Sequence, residues 1–165
     1  MYINLRQVRS AEFDAVYGIL HENATWLLSI DILQWPLDWL ESISPVIKTS
    51  IDAGLFYAVE IDNEVAAVCE IKTAPEILWG NNQTEALYIH KLAIRRKYSD
   101  YGLGRNILDL IKSKAKQKNI NFLRLDCVAH NDKLREYYES CGFNLEGIVD
   151  AGEVNLALYE LYIQR

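Results

Sequence analysis

The chain has 165 residues and a mass of 19.0 kDa, which is the size of one ordinary globular domain. Half of its residues are hydrophobic and 24% are charged, which is enough apolar material for a core and excludes a disordered chain. The net charge of -6 excludes nucleic-acid binding driven by overall charge.

The first half of the sequence contains apolar stretches at both strand and helix spacing. Ser10 is positioned to cap the first helix, whose apolar side chains Phe13, Val16, Tyr17 and Leu20 share one face. The predicted elements are a strand over 3–8, a helix after Ser10, a second helix from the tryptophan-rich segment 24–39 towards Ile51, and strands over 55–61 and 65–73.

The second half continues the alternation of strands and helices. Its predicted elements are a strand over 86–94, a helix over 104–118, a strand over 122–128, a helix over 132–140, and strands over 143–149 and 154–163. We find no linker, repeat or low-complexity tract, so residues 1–165 are predicted to form a single domain. Helices and strands alternating around one mixed sheet predict an α/β class, or α+β by some schemes.

Targeting signals and cysteine chemistry give few further indications. The N-terminal segment has no apolar run typical of a secretory signal, and no stretch of ~18 uncharged apolar residues predicts a membrane span. The three cysteines are widely spaced and have no CxxC pattern, which disfavours a zinc site or a disulfide framework. We therefore expect a cytoplasmic protein that binds neither metal, membrane nor nucleic acid.

Positive charge is concentrated around a glycine-containing turn. Residues 95–118 carry a net charge of +6, although the rest of the chain carries -12. In this segment a strand runs into Gly102-Leu103-Gly104, and a basic helix begins at once. Glycines let the backbone approach a ligand, and a helix N-terminus favours anions, so the turn suits a pyrophosphate. A plain tight turn is the alternative, whereas the Walker and dinucleotide-binding patterns are both incomplete here.

A second motif begins about thirty residues further on, at Asn131. With the glycine turn it resembles the GCN5-related N-acetyltransferase (GNAT) superfamily. In that family a strand leads into an Arg/Gln-x-x-Gly-x-Gly/Ala turn and then a helix, and residues 99–104 resemble this turn. The family also has a later Asn…Tyr-Glu-x-x-Gly-Phe signature, which Asn131 and residues 138–143 resemble. The resemblance is close over about 86–163, whereas the N-terminal half fits in its order of elements.

This resemblance implies a single-domain GNAT-like fold, with a strongly twisted mixed sheet of six to seven strands flanked by helices. Two central strands would splay apart, and acetyl-CoA, the co-substrate, would lie in the gap. The resemblance assigns cofactor binding to the strand before the turn, to the turn and to one downstream amide: Leu92, Ala93, Ile94, Ser99, Tyr101, Gly102, Leu103, Gly104, Arg105 and Asn131.

One turn position departs from the family pattern. Ser99 stands where the family has Arg or Gln, so a hydroxyl replaces a charged or amide group. Arg96, Lys97 or Arg105 is expected to supply the missing charge.

The expected chemistry is direct attack of an acceptor amine on the thioester. A backbone N–H near Leu92 would hold the oxyanion, and Tyr138 would protonate the leaving thiolate as a general acid. Tyr137 is interpreted as a packing residue. His90 is a candidate general base or substrate contact because an imidazole titrates near neutral pH. Glu70 and a water relay are the alternatives for the base.

The N-terminal half is expected to supply acceptor specificity. Candidate pocket residues are Trp26, Gln34, Trp35 and Glu70, and the alternative is that the tryptophans are core or covering residues. The preferred interpretation is an N-acetyltransferase that uses acetyl-CoA and a small primary amine, with a homodimer allowed. The alternatives are a protein N-terminal or lysine acetyltransferase, a non-catalytic acyl-CoA-binding or sensing domain, and a generic phosphate-binding protein.

Overall fold

The computed structural model describes residues 2–82 and 84–163. Its strands are β1 (Ile3–Gln7), β2 (Phe56–Ile61), β3 (Glu64–Lys72), β4 (Leu87–Ile94), β5 (Phe122–Val128), β6 (Asn144–Asp150) and β7 (Asn155–Tyr162). Its α-helices are α1 (Phe13–Ser29), α2 (Leu37–Ser42), α3 (Ser44–Asp52), α4 (Leu103–Gln117) and α5 (Asp132–Ser140). Short 3-10 turns cover Ser10–Glu12, Ile77–Trp79 and Arg96–Tyr98.

The seven strands form one mixed sheet in the order β1-β2-β3-β4-β5-β7-β6. β4 and β5 are parallel, and the pairs β1–β2, β2–β3, β5–β7 and β6–β7 are antiparallel. Every predicted strand is present, with its ends within one residue of those expected. The mixed α/β sheet predicted from the alternation of elements is therefore confirmed.

The chain forms two compact units, one of residues up to 71 with 91–108 and the other of 72–90 with 109 onwards. In the first unit, α1 buries Val16 and Leu20 in a core that also contains Phe56, and Phe13 and Tyr17 pack against it. The helix face predicted from the apolar spacing is thus confirmed.

The predicted cap of the first helix is wrong. Ser10 is the first residue of a 3-10 turn, and the Glu12 carboxylate accepts the Arg9 N–H at 2.7 Å. Arg6 binds the same carboxylate through two nitrogens, at 2.9 and 2.7 Å. Glu12 is the N-cap residue of α1, but its carboxylate binds the Arg9 N–H at the start of the 3-10 turn rather than an N–H of α1.

The predicted second helix is divided into two. α2 ends at Ser42, and α3 begins at Ser44 with Pro45 in its first turn. Proline is favoured in a first helical turn because its missing N–H has no partner there in any case, so Pro45 marks a new start. The tryptophan-rich segment is also divided, since α1 extends to Ser29 and includes Trp26.

In the second unit, β5 is the buried strand and carries an ionised side chain. Arg124 is fully buried; its Nε donates to Glu160 at 2.8 Å, and its Nη1 donates to the Tyr88 hydroxyl at 2.8 Å. The guanidinium also lies 4.5 Å from the ring centroid of Trp79. A buried charge is tolerated when it is paired in this way.

β4 changes conformation at its midpoint. Its register with β5 runs from Leu87 to Ile89, and Lys91 has a φ of 50°, in the left-handed region. A non-glycine residue with such a φ interrupts a strand's ladder in the manner of a bulge. The pairing of β4 with β5 thus covers Leu87 to Ile89, and the change of conformation at Lys91 follows it.

Among the described residues, no helix is long and apolar enough to cross a bilayer. Within the same residues, no group of three or more His, Cys, Asp or Glu side chains is arranged to hold a metal ion.

Candidate functional site

In the first unit, the glycine turn leads directly into α4. Gly102 has a φ of 66°, a conformation that side chains adopt only with strain, and a Cβ built there would meet no heavy atom within 4 Å. α4 begins at the next residue, and the first four N–H groups of a helix have no intrahelical acceptor. Open space over a left-handed glycine at a helix N-terminus fits the close approach of a phosphate group.

The basic side chains before the turn are already engaged within the first unit. The Arg96 guanidinium lies 3.6 Å from the Trp26 ring centroid, and the Arg96 N–H donates to Glu22 at 2.9 Å. Lys97 forms an ion pair with Glu64, and together with a hydrogen bond from the Tyr98 hydroxyl it lowers the pKa of that carboxyl. These contacts hold the turn in place, so Arg96 and Lys97 both have structural partners.

Ser99 has a local role in the turn. Its hydroxyl donates to the Arg96 carbonyl at 2.8 Å and so closes the 3-10 turn Arg96–Tyr98. The Tyr101 N–H donates to the Tyr98 carbonyl at 3.4 Å. The Tyr101 N–H, one of the donors expected to hold a pyrophosphate, therefore has an acceptor within the turn.

The strand before the turn is fixed by a residue that the sequence analysis missed. The side chain of Asn23 on α1 is buried, and its Nδ2 donates to the Ile94 carbonyl and to the Ile19 carbonyl, both at 3.0 Å. The sequence signal for this residue was an amide side chain among the inward-facing apolar residues of the first helix. Asn23 thereby connects α1 to the end of β4, next to Ala93, which is buried.

The candidate acceptor residues of the first unit have different environments. Trp26 stacks with Arg96, whereas Trp35 packs on the core and lines an apolar pocket of about 240 Å³. The buried Oε1 of Gln34 has no hydrogen-bond partner within 2–82 and 84–163. Glu70 is buried and accepts from the Lys91 ammonium at 2.9 Å, which commits its carboxylate to an ion pair.

A larger pocket of about 540 Å³ in the first unit was not predicted. Phe13, Tyr17 and His21 line one side of it, with Phe13 and Tyr17 stacked at 5.8 Å between ring centroids. Asp38 and Glu41 are also among its lining residues. The only sequence signal was the i, i+4, i+8 spacing of three rings on α1, which equally describes a core face.

In the second unit, Tyr138 is buried on α5 among aromatic rings. Its ring centroid lies 5.7 Å from Tyr137, 5.8 Å from Phe143 and 6.3 Å from Tyr159. Burial raises the pKa of the Tyr138 phenol well above its usual value, and the neighbouring Cys127 raises that pKa further. Burial also raises the pKa of the Cys127 thiol, to about 12. The buried phenol of Tyr138 is therefore neutral.

Asn131 is the N-cap of α5. Its Oδ1 accepts the Leu134 N–H at 3.3 Å, which uses the amide oxygen and leaves the amide N–H₂ as the donor end. The side chain thus has a structural role in the helix, and its orientation is fixed by that bond.

His90, also in the second unit, lies between two carboxylates. Its Nε2 hydrogen-bonds to Glu76, and its Nδ1 is 3.9 Å from Oδ2 of Asp126. The side chain of His90 is 20% exposed, that of Glu76 is 17% exposed and that of Asp126 is 19% exposed. The sequence analysis identified His90 but neither partner, because Glu76 lies in the connection before β4 and Asp126 on another strand.

Comparison with known sequences and structures identifies the family. The family model described as acetyltransferase (GNAT) family matches residues 20–143. A curated relative, the uncharacterized N-acetyltransferase YesJ of Bacillus subtilis (strain 168), is 30% identical over 144 residues, covering 84% of this chain and 80% of YesJ.

Solved structures share the fold over nearly the whole chain. A GNAT-family acetyltransferase from Listeria monocytogenes has a TM-score of 0.81 at 21% identity, covering 98% of this chain and 95% of its own. The PaiA N-acetyltransferase from Thermoplasma acidophilum, solved in complex with coenzyme A, has a TM-score of 0.74 at 17% identity, covering 98% and 99%. Since the family model covers well over half of the sequence, the chain belongs to the GNAT family of acetyltransferases.

Proposed function

We propose that this acetyltransferase takes its acetyl group from acetyl-CoA and transfers it by direct attack to a primary amine of a small molecule. The observation that carries the proposal is the glycine turn. Gly102 is left-handed, the space over it is open, and a helix N-terminus follows at once. Backbone donors at a helix N-terminus bind pyrophosphate without needing the side-chain cation that Ser99 fails to provide.

The pantetheine arm of the cofactor would run along β4. The Ile94 carbonyl already accepts a hydrogen bond from Asn23, so we assign the cofactor contacts mainly to the backbone of Leu92 and Ala93. In the second unit, the N–H₂ end of Asn131 would donate to an amide carbonyl of the arm, because its oxygen is occupied as the helix cap. A backbone N–H at Leu92 would hold the thioester oxygen.

Tyr138 is proposed as the general acid. Its raised pKa keeps the phenol protonated while the amine attacks. The adjacent Cys127 shows the local effect on sulfur, since burial raises the pKa of that thiol to about 12. A thiolate leaving into similar surroundings would be equally unfavourable without a proton, and a neutral phenol supplies one.

The acceptor is proposed to be small because the polar groups suited to bind its amine are enclosed. His90, Glu76 and Asp126 are each about four-fifths buried. A compact amine reaches such groups more easily than the surface of a folded protein does.

The proposal is tested by measuring thiol release from acetyl-CoA in the presence of two sets of acceptors. One set contains small alkyl amines, amino alcohols and amino sugars; the other contains peptides with a free N-terminus or a lysine. We expect amine-dependent thiol release with at least one small amine. Turnover with peptides alone would contradict the small acceptor, and CoA binding without any turnover would instead identify a non-catalytic acyl-CoA-binding domain.

A further inference from the structure

Lys91 has a backbone conformation that is unusual for its residue type and for its place in the fold. Its φ of 50° lies in the left-handed region, although the residue belongs to β4. The structure describes four other non-glycine residues with a positive φ, all of them aspartates or asparagines in turns: Asp31, Asp62, Asn63 and Asn119. Those residue types adopt this conformation more readily than lysine does. Lys91 has no such local advantage, so its surroundings hold it there.

A buried ion pair in the first unit holds the side chain of Lys91. Its ammonium donates to the Glu70 carboxylate at 2.9 Å. The Lys91 side chain is 18% exposed, and that of Glu70 is 2% exposed. Glu70 lies on β3 opposite Phe56 of β2, so the sheet fixes its backbone. Because a buried carboxylate is costly without a cation, Glu70 determines where the ammonium lies.

The backbone that follows Lys91 is fixed at its far end. The Ile94 carbonyl accepts a hydrogen bond from the Asn23 side chain at 3.0 Å. The Arg95 N–H donates to the Ala66 carbonyl of β3 at 2.8 Å. Two residues lie between these bonds and Lys91. The conformation of Lys91 therefore sets the direction of the N–H that comes directly after it.

We propose that the Glu70–Lys91 ion pair holds Lys91 in its left-handed conformation and thereby aims the Leu92 N–H at the thioester oxygen. This inference rests on the proposed function, because it concerns the backbone N–H which that reaction uses. Leu92 contacts the reacting group, whereas Glu70 and Lys91 are positioning residues that act through it. Glu70 is then the partner of Lys91 and not the base of the reaction.

The main kinetic test compares alanine with glycine at position 91, using the fastest small amine of the panel. Glu70→Gln is included in both variants, so that no buried carboxylate is left without its cation. Both variants lack the ammonium group, but glycine adopts a positive φ without strain and alanine does not. Glu70→Gln with Lys91→Ala should lower kcat about tenfold, because a displaced oxyanion donor stabilises the transition state less. Glu70→Gln with Lys91→Gly should stay within about threefold of the wild-type kcat.

Binding measurements and a control variant show whether the loss is specific to the chemical step. The KM for the amine and the Kd for CoA should change by less than about threefold in both double variants, since the N–H binds charge that develops in the transition state. Asn119→Ala is the matched control, because Asn119 is an exposed left-handed residue with a φ of 57°. It places the same kind of backbone strain elsewhere and should leave kcat unchanged.

Glu70→Gln distinguishes a positioning carboxylate from a general base. In the presence of Lys91 it should lower kcat about fivefold, because a neutral amide holds the ammonium less strongly than a carboxylate does. In the Lys91→Gly background it should cause no further loss, since glycine needs no ion pair to keep its conformation. A further large loss in that background would identify Glu70 as the base and would overturn the inference.

Backbone NMR provides a readout that needs no turnover. The Cα and carbonyl carbon chemical shifts of a residue report its φ and ψ. In the wild-type protein those of Lys91 should be typical of the left-handed region, and Glu70→Gln should move them towards extended values. Asn119, which is left-handed and distant in sequence, serves as the internal reference. Lys91 shifts that stay the same in Glu70→Gln would contradict the proposal.

The outcomes separate the inference from the proposed function. If the wild-type protein binds CoA but acetylates no amine, the proposed function is wrong, and the catalytic role of the ion pair fails with it. If the wild-type protein is active but alanine and glycine at position 91 lose kcat equally, the ammonium itself is what the reaction requires. In that case the inference alone is wrong.

Discussion

At the scale of single residues, burial of the Tyr138 phenol decides its chemistry. Three aromatic neighbours enclose the ring, and their exclusion of water raises the pKa of the phenol. The same surroundings that keep the proton in place also disfavour an unprotonated thiolate. The proton donation proposed for Tyr138 would therefore depend on packing as much as on the hydroxyl itself.

Tyr138→Phe removes the proton donor and keeps the packing. We expect kcat to fall about 100-fold with the Kd for CoA unchanged, because a general acid acts in the chemical step. Stopped-flow or steady-state thiol release measures kcat, and calorimetry measures the Kd. Tyr137→Phe, the adjacent aromatic on α5, should stay within about twofold of the wild type. Equal effects of the two changes would contradict the assignment of Tyr138.

Ser99 allows a gain-of-affinity prediction. Ser99→Arg restores the charged group found at the family's first turn position, so the Kd for CoA should fall about fivefold at low salt and less at high salt. Ser99→Ala removes only the hydrogen bond to the Arg96 carbonyl, observed at 2.8 Å, and serves as the control. No change in Kd on Ser99→Arg, at any salt concentration, would indicate that the phosphates do not approach residue 99.

At the scale of elements, the Arg6–Glu12 pair joins β1 to the turn that precedes α1. Hydrogen bonding to the Arg6 guanidinium is the main cause that lowers the pKa of Glu12 to about 2. The Glu12 side chain is 19% exposed, so the pair is only partly screened by solvent. Because the folded-state pKa lies below the unfolded value, this pair stabilises the fold above about pH 4.5, and the contribution is lost as the pH falls towards 2.

Glu12→Gln should therefore lower the free energy of unfolding by about 2 kcal/mol at pH 7. The difference from the wild type should shrink between about pH 4.5 and pH 2, where the wild-type carboxylate becomes protonated. Urea unfolding at several pH values measures this difference. Glu146→Gln, an exposed carboxylate on β6, is the control. A difference that is independent of pH would show that charge is not the source of the stabilisation.

The elements of this chain were predictable to different degrees. Strand ends were predicted within one residue because apolar alternation and turn residues mark them locally. The bond from the Arg9 N–H to Glu12 lies in the turn before α1, and the Glu12 carboxylate is held there by Arg6, six residues earlier. The break before Ser44 was signalled by Pro45 but not recognised. The glycine turn was identified because its motif is contiguous. The partners of His90 and Glu70 lie up to 36 residues away in the sequence, and no local pattern identifies them.

At the scale of the whole molecule, charge is distributed unevenly along the sequence. Residues 95–118 carry +6 within a chain of net charge -6. Arg96 and Lys97, which contribute to that excess, stack on Trp26 and pair with Glu64. The excess charge therefore partly holds the turn in its conformation, and the proposed anion site relies mainly on the backbone of the turn.

The most direct test of the central claim is calorimetric titration of CoA into the wild-type protein and two glycine variants. Gly102→Ala places a methyl group in the open space over the turn, where the pyrophosphate would lie, and should raise the Kd for CoA about tenfold. Gly152→Ala is the matched control, because Gly152 also has a positive φ, 96°, and open space over it. We predict that Gly152→Ala binds CoA like the wild type. Absence of binding by the wild-type protein at about 1 mM CoA, or equal loss of affinity in both variants, would contradict the account.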